Sequence, residues 1–473
     1  MLGLNAAEVA RAVSGVCIGR GEQPISGVVT DSRAVRPGSL FVALPGVRTD
    51  GHRFLAEAQS RGAAAALVQP DRGPRPADLD VIVVPDTLAA LGALARFHRA
   101  RLAASVIGVT GTVGKTTAKD FLAALLGGPG AAVHAAPASF NSECGLPLAI
   151  LAAPLDARFL VLEYGVNAPG EMERLLAIAR PQHAWITALT EVHLEGMGER
   201  ATIVAEKCKL ARAVPEGGRI WLASRWADDC AEHARAWCGR VHWTGLHDAG
   251  GDAGGMRVLH AIPGAFRVDI PGLGEAVLPV VARHEAELAA TAALAALELG
   301  APPAAVAQRL TQLQRPPGRL QVHSFGPVVV LDDAYNASPA SMEAALAVLA
   351  QWPRGGRRIA VLGTMHELGA AAERCHRQVG QAAAALPLDL VLCVGRGGAW
   401  IAHAAAQAGA AAAAVEDPAA AVARLRAQLQ AGDVILLKAS RAEGLERLLP
   451  ELEAAARLLT ARGVAGAARE GRA

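Results

Sequence analysis

Short apolar runs recur along the chain between stretches of helical spacing, and this alternation sets the first reading. In "SLFVAL" (39–44) the apolar positions alternate as on a half-buried strand. Phe54, Ala58 and Gly62 then keep helical spacing up to the apolar "AAALV" (64–68). "PDRGPRPADLD" is a proline-rich loop, and "VIVVP" closes a first unit near residue 85. A helix, "TLAALGALARFHRARL", opens the second segment and leads into the strand "SVIGVTG" (105–111). "FLVLEYG", "HAWITAL" and "RIWLAS" are further apolar runs between helical stretches, which predicts a mostly parallel sheet covered by helices. "GMRVLHAIPGAFRVDIPGLGEAVLPV" reads as an antiparallel excursion, and "ARHEAELAATAALAALELG" as a helix ending at Gly300.

After "QRPPGR" the alternation resumes with "PVVVLDDAY", "RRIAVLG", "LDLVLCVG" and "GDVILLKAS" between helices, a second doubly wound pattern. The alanine-rich run from 402 to 429 reads as packing helices. The prediction is an α/β protein of three domains. They are a small α/β N-terminal domain (1–85), a central parallel-sheet P-loop domain (86–315) and a C-terminal Rossmann-like domain (316–460), before a flexible tail (461–473).

Composition narrows the function classes. The 473 residues are 52% hydrophobic and 19% charged, with a formal net charge of +2, so no strong field points to nucleic acid or an anionic membrane surface. Aromatic residues make up 4%, too few for base-stacking platforms. The seven cysteines are scattered and form no C-x-x-C pair, which reads as a reduced cytoplasmic protein. No basic-then-apolar leader opens the chain and no apolar run reaches about 18 residues, so neither a signal peptide nor membrane insertion is expected.

The chemistry concentrates at "VTGTVGKTT" (109–117), between a predicted strand and a predicted helix. Gly111 and Gly114 let backbone amides turn toward an anion around Thr112. Lys115 adds a point charge for the terminal phosphates, and Thr116 or Thr117 offers a hydroxyl to Mg2+. A strand-to-helix turn with a chance lysine is the bland alternative. The motif alone does not separate kinase, ATPase and ligase.

The neighbouring strings do. Together with "TDSRAVRPGSLFVAL", "LEYGVNAPGEMERL", "EVHLEGMGE", "AEKCKL", "LDDAYNASPASM", "VLGTMHELG" and "LLKASRAEGLERLL", the loop resembles the Mur ligase family, over about residues 27 to 450. The resemblance implies an ATP-dependent amide ligase of peptidoglycan precursor synthesis, acting through an acyl phosphate, with a UDP-sugar site on the first domain. "DDAYNASPASM" is most similar to the branch that adds D-alanyl-D-alanine to UDP-N-acetylmuramoyl-tripeptide, and the D-N-P-R string of the branch that adds diaminopimelate is absent. By position, the resemblance makes Glu163 and His193 ligands of Mg2+, with two ions expected. It makes Lys207 a carbamylated metal-binding lysine, with Lys209 close enough to compete for that register. Arg319 and Asp332 would serve the nucleotide, with Asp333 as the alternative acid. Ser32, Arg33, Asn141, Asn336, Ser338, Lys438 and Arg441 would lie near substrate. The bland alternative for "DDAYNASP" is a helix cap with its turn, compatible with a functional role. A cytoplasmic monomer is implied, with small-molecule partners only.

Several positions depart from the family. Ser142, Ala188, Glu285 and Leu288 stand where asparagines are expected, and Thr364 where an acidic residue is common. In related enzymes the asparagine at the place of Leu288 contacts adenine. Losing that partner weakens nucleotide binding by about 1–3 kcal/mol. Two further readings therefore stay open: a divergent ligase of the same chemistry joining another carboxylate and amine, or a nucleotide-binding scaffold without ligation.

Overall fold

The computed structural model describes residues 3–46, 49–127, 133–190, 194–248, 255–262, 264–353 and 355–470. The chain divides into two compact units. One is made of residues 1–111, 118–188 and 204–244, the other of 112–117, 189–203 and 245–473.

The first unit holds two larger sheets, beside a two-stranded antiparallel ladder of Leu4–Asn5 with Pro24–Ile25. Strands β1 (Val16–Ile18), β2 (Gly27–Val29), β3 (Ser39–Val42), β4 (Ala65–Val68) and β5 (Asp80–Val83) lie in the order β1-β5-β4-β3-β2. All neighbours run parallel except β1, which is antiparallel to β5. Phe41, Ala66 and Val81 pack its core with Leu55 and Ala58 from helix α2 (Leu55–Ser60), which follows α1 (Ala6–Ala12). Asp86 then caps α3 (Thr87–Ala100) by accepting from the amides of Leu88 and Ala89.

The second sheet contains β6 (Ser105–Thr110), β7 (Val133–Ala135), β8 (Phe159–Glu163), β9 (His183–Ile186), β10 (Arg219–Ala223) and β11 (Arg240–Thr244). Their order is β11-β10-β9-β6-β8-β7, and every pair is parallel, as expected from the apolar runs. Helices α4 (Lys115–Leu126), α5 (Gly145–Leu151), α6 (Glu171–Ile178), α7 (Leu194–Met197), α8 (Arg200–Arg212) and α9 (Ala227–Ala234) alternate with these strands. Strand β6 is central, so the loop that follows it emerges from the most buried part of the sheet. Val106, Ile107 and Val109 in it are fully enclosed.

In the second unit, β12 (Leu246–Asp248), β13 (Met256–Ile262), β14 (Ala265–Ile270) and β15 (Gly274–Leu278) form the expected excursion. It is antiparallel from β13 to β15, with β12 added parallel to β13. Helix α10 (Arg283–Glu298) ends with Leu299 as its cap and Gly300 at φ +90°, a left-handed exit that suits glycine; α11 (Pro303–Leu310) follows.

The six-stranded sheet of this unit orders β16 (Gln321–Phe325), β17 (Val328–Asp332), β18 (Arg358–Leu362), β19 (Leu390–Val394), β20 (Ala412–Val415) and β21 (Val434–Lys438) as β16-β17-β21-β18-β19-β20. Only β16 is antiparallel to its neighbour. Alternate residues serve two cores. Leu331, Ala360 and Leu362 meet α12 (Pro339–Gln351), α13 (Ala372–Ala384) and α14 (Gly395–Gln407). Val330, Ile359 and Val361 meet α15 (Pro418–Gln428) and α16 (Leu448–Glu470).

The alanine-rich run is not wholly helical: Ala412–Val415 form β20. Gly409 at φ +90° ends α14, and Asp417 caps α15 through the amide of Ala420 at 2.8 Å. The stretch between those stops is too short to nucleate a helix, so pairing with Val391–Val394 satisfies its backbone instead. The α/β, three-domain architecture stands. Among the described residues no helix is long and apolar enough to cross a membrane.

Candidate active site

The loop after β6 needs its glycines. Gly111 has φ +147°, and a Cβ there would fall 2.1 Å from Thr187 Oγ1 and 2.9 Å from the Ala188 amide nitrogen, so only glycine fits. Gly114 turns the chain at φ +83° into α4, whose first residue is Lys115. Amides at a helix start face outward without intrahelical partners, which makes this turn suited to phosphate. Thr112 Oγ1 lies 2.8 Å from Thr190 Oγ1 and accepts from the Thr190 amide at 3.0 Å, while Lys115 Nζ donates to the Thr112 carbonyl at 3.3 Å. Thr112, Thr116 and Thr117 are all buried.

Arg319 joins this loop across 203 residues of sequence: its Nη2 donates to Thr116 Oγ1 at 3.4 Å. The Arg319 guanidinium sits 4.4 Å from the centre of the Tyr335 ring, and the Arg441 guanidinium 5.1 Å from the same ring. Tyr335 thus gathers two cations beside a phosphate-loop threonine, and the ring face offsets part of their mutual repulsion. Sequence reasoning passed over Tyr335. Its signal was slight: it is one of the chain's two tyrosines and lies inside the "DDAYN" string.

At the end of β17 the two adjacent acids take different roles. Asp333 accepts from Lys438 Nζ at 2.6 Å and from the Leu320 amide at 3.2 Å, and Lys438 also donates to the Asn336 carbonyl at 3.1 Å. Asp332 is buried, accepts from the Ala334 amide at 3.1 Å and has His323 Nε2 at 3.9 Å. Burial pushes the Asp332 carboxyl above its usual range. Asp333 is thus committed to Lys438 and the Leu320 amide, whereas Asp332 has neither of these contacts. Ser338 caps α12, its Oγ accepting from the Ser341 amide at 3.4 Å, with Pro339 in the first turn. The cap and the proximity to Asn336 coexist, since both lie on one turn.

In the first unit, Glu163 ends β8 in register with Val109, is 1% exposed, and accepts from Asn141 Nδ2 at 2.7 Å. Ser142 takes no part in that contact; its Oγ accepts from the Gly145 amide at 3.2 Å, opening α5. Lys207 on α8 is 1% exposed, whereas Lys209 is 32% exposed and ion-paired with Glu173 at 2.6 Å and with Glu206. The two lysines of "EKCKL" therefore differ sharply. Ser32 Oγ donates to Glu57 Oε2 at 2.8 Å, and the exposed Arg33 grips Asp31 through Nε at 3.0 Å and Nη2 at 2.7 Å. Those Arg33 bonds hold the Asp31 carboxyl down at about 2. Asp31 lies in the turn between β2 and β3, and Glu57 on α2. His193 lies outside the described residues.

Glu285 shows what replaced an expected asparagine. It is 3% exposed, bonds Arg315 Nε at 3.1 Å, and accepts from the Val281 and Ala282 amides at 3.2 Å each, capping α10. Burial pushes its carboxyl up to about 7 against the pull of Arg315. A carboxyl raised in the folded state keeps a proton that the unfolded chain releases from about pH 4.3 upward. Stability from this group is then full below about pH 4.3 and falls as pH climbs through 7, by on the order of 3 kcal/mol. Glu285→Gln should flatten the fall in melting temperature between pH 5 and 7.5. Equal slopes in the two proteins would refute the raised carboxyl. Leu288, one turn further along α10, is also buried.

Known proteins resemble this chain along most of its length. The Mur ligase family catalytic domain matches residues 24–99, the Mur ligase middle domain 109–259, and the Mur ligase glutamate ligase domain 318–441. The UDP-N-acetylmuramoyl-tripeptide–D-alanyl-D-alanine ligase of Escherichia coli is 34% identical over 437 residues, 91% of this chain and 94% of that one. The chain belongs to the Mur ligase family. The ligase of the same name from Mycobacterium tuberculosis is 37% identical over 503 residues, covering 94% of this chain and 96% of its own. The crystal structure of MurF from Acinetobacter baumannii superposes with a TM-score of 0.82 at 29% identity, over 95% of this chain and 98% of that chain. MurF ligase from Thermotoga maritima, in complex with ADP, gives 0.76 at 29% identity, over 91% and 98%. Membership makes the chain an ATP-dependent ligase, and the loop after β6 falls within the stretch that matches the family's middle domain.

Proposed function

We propose that this Mur ligase joins D-alanyl-D-alanine to UDP-N-acetylmuramoyl-tripeptide with ATP, giving ADP and phosphate in the making of a peptidoglycan precursor. The observation that carries the reading is likeness across the whole length, in all three domains, to ligases of that name. The substrate carboxylate attacks the γ-phosphate, ADP leaves, and the dipeptide amine displaces phosphate from the acyl phosphate. Two anions must meet in the first step. Lys115 and Arg319 bring positive charge to the transferred phosphoryl group, and the amides from Gly114 onward hold the phosphates still.

The donors that the family resemblance names for a divalent ion are the Thr116 hydroxyl, the Glu163 carboxylate, a carbamate on Lys207 and the His193 imidazole; hard oxygens with one imidazole are a donor chemistry that fits Mg2+. Bound there, Mg2+ supplies charge neutralisation between phosphate and carboxylate. Asp332 holds the ribose, and Asn336, Ser338, Lys438 and Arg441 frame the dipeptide. Ser32 and Arg33 take the UDP-sugar.

A second reading has its own observation. Glu285 is spent on the α10 cap and Arg315, and Leu288 offers adenine no hydrogen bond, so the nucleotide pocket differs from the family's. A divergent ligase with another acid and amine is the form this takes. Phosphate release from ATP and Mg2+, with each substrate present and omitted, separates the two. The expected product is heavier than the tripeptide precursor by the dipeptide minus water. ATP binding without that product would sink the cell-wall assignment.

A further inference from the structure

Lys119 is a buried cation that the chemistry above leaves unused. Its side chain is 1% exposed, which for a lysine demands a reason. Nζ donates to the carbonyls of Ala136 and of Ala138, the latter at 2.8 Å, and meets Asp120 Oδ1 at 2.9 Å. Three partners match the three N–H donors of an ammonium.

Two of those partners are backbone oxygens of the segment between β7 and α5. Ala136 extends the β7–β8 pairing through its amide, which donates to the Val161 carbonyl at 3.1 Å. Ala138 is held at φ +46°, a conformation that residues with a side chain avoid unless something fixes them. Three residues later comes Asn141. Its carbonyl accepts from the Gly165 amide at 2.9 Å, and its side chain donates to Glu163 at 2.7 Å. The side chain lies so close over Gly165 that a Cβ there would fall 2.5 Å from Asn141 Cγ. Asn141 has no slack, and neither does the carboxylate it holds.

We propose that Lys119 is a positioning residue. From α4, one turn after Lys115, it pins residues 136–138, and through Asn141 it sets the aim of the Glu163 carboxylate at the divalent ion. The inference rests on the reading of Glu163 as a metal ligand. It links the helix that starts at the phosphate loop to a metal-binding side chain by a chain of bonds: Lys119, the Ala136 and Ala138 carbonyls, Asn141, Glu163. A lysine that merely filled space in the core would stabilise the fold and leave metal affinity alone.

Mn2+ binding to the full chain in the presence of ADP, followed by electron paramagnetic resonance, distinguishes these roles without relying on turnover. Glu163→Gln should weaken Mn2+ binding at least tenfold, in the range for a metal's own carboxylate and its supports (about 10- to 100-fold). Lys119→Met and Asn141→Ala should each weaken it about tenfold, and the double variant about tenfold as well, because both act on one link. ADP binding without metal should stay within about twofold of the parent, as for any site outside the perturbed network. Parent-like Mn2+ binding in Lys119→Met, beside a weakened Glu163→Gln, overturns the positioning role alone. Losses that multiply in the double variant overturn it too. Parent-like binding in Glu163→Gln removes the metal reading of Glu163, and the inference with it. Lys119→Gln, which keeps two N–H donors, carries the same comparison if the methionine variant does not fold.

Discussion

Lys207→Ala is expected to lower kcat about 10³-fold, close to 4 kcal/mol of lost transition-state stabilisation, and short carboxylates such as acetate are expected to restore part of it. Lys207 is 1% exposed, so the lysine is held inside the protein, and the expectation rests on the carbamate proposed above. Addition of CO2 to the neutral amine forms an N–C bond, releases a proton and leaves an anion that suits a divalent cation. Truncation to alanine removes the anion and opens a space of matching size, which is why a small carboxylate can stand in. Lys209→Ala is the control. That side chain is partly exposed and pairs with the exposed Glu173 and the buried Glu206, so its loss should act on stability and change kcat by less than about threefold. If Lys209 proves as sensitive as Lys207, or acetate restores nothing, the carbamate assignment falls. Mass spectrometry under high bicarbonate, with rapid handling, gives an independent check at the 44 Da expected for added CO2.

The second large effect is placed on the phosphate loop. Lys115→Met should reduce kcat by about 10³-fold while leaving the melting temperature within a few degrees of the parent, because the residue meets phosphate charge rather than the core. Inside the protein Lys115 Nζ donates to the Thr112 carbonyl at 3.3 Å, on its own loop. A fold-neutral, chemistry-null variant is therefore the signature. Arg at this place would keep the charge but not the compact ammonium, so Lys115→Arg should remain at least 10²-fold impaired if a point charge is what the site needs. Near-parent kcat in either variant would move the phosphoryl-binding role elsewhere, with Arg319 the next residue to change.

The strands around the loop were legible because their apolar runs are nearly uninterrupted, as parallel strands buried on both faces must be; β6, β8, β9 and β10 all read this way. The loop was legible for a different reason, since glycine, lysine and threonine at fixed offsets carry phosphate chemistry in a local string. What stayed hidden depends on partners far apart in sequence. Nothing near Lys438 announces Asp333, 105 residues away, nor does Glu285 point to Arg315. Lys119 looks like any polar residue on a helix until the carbonyls of the 136–138 segment close over it. Tyr335 has no periodicity to reveal it, only two arginines delivered by other segments. And β20 misled because alanine's helix preference is weak compared with the stops on either side.

The Glu285–Arg315 bond also constrains how this chain can change. An asparagine at position 285 is too short to serve both the α10 amides and the guanidinium, so that single step would strand a nearly buried cation and uncap a helix together. The step becomes tolerable only after Arg315 has been replaced, and replacing Arg315 first leaves a buried acid without its counter-ion. Both single-step intermediates are penalised, so the pair forms a ratchet: a lineage that acquired it holds it by epistasis.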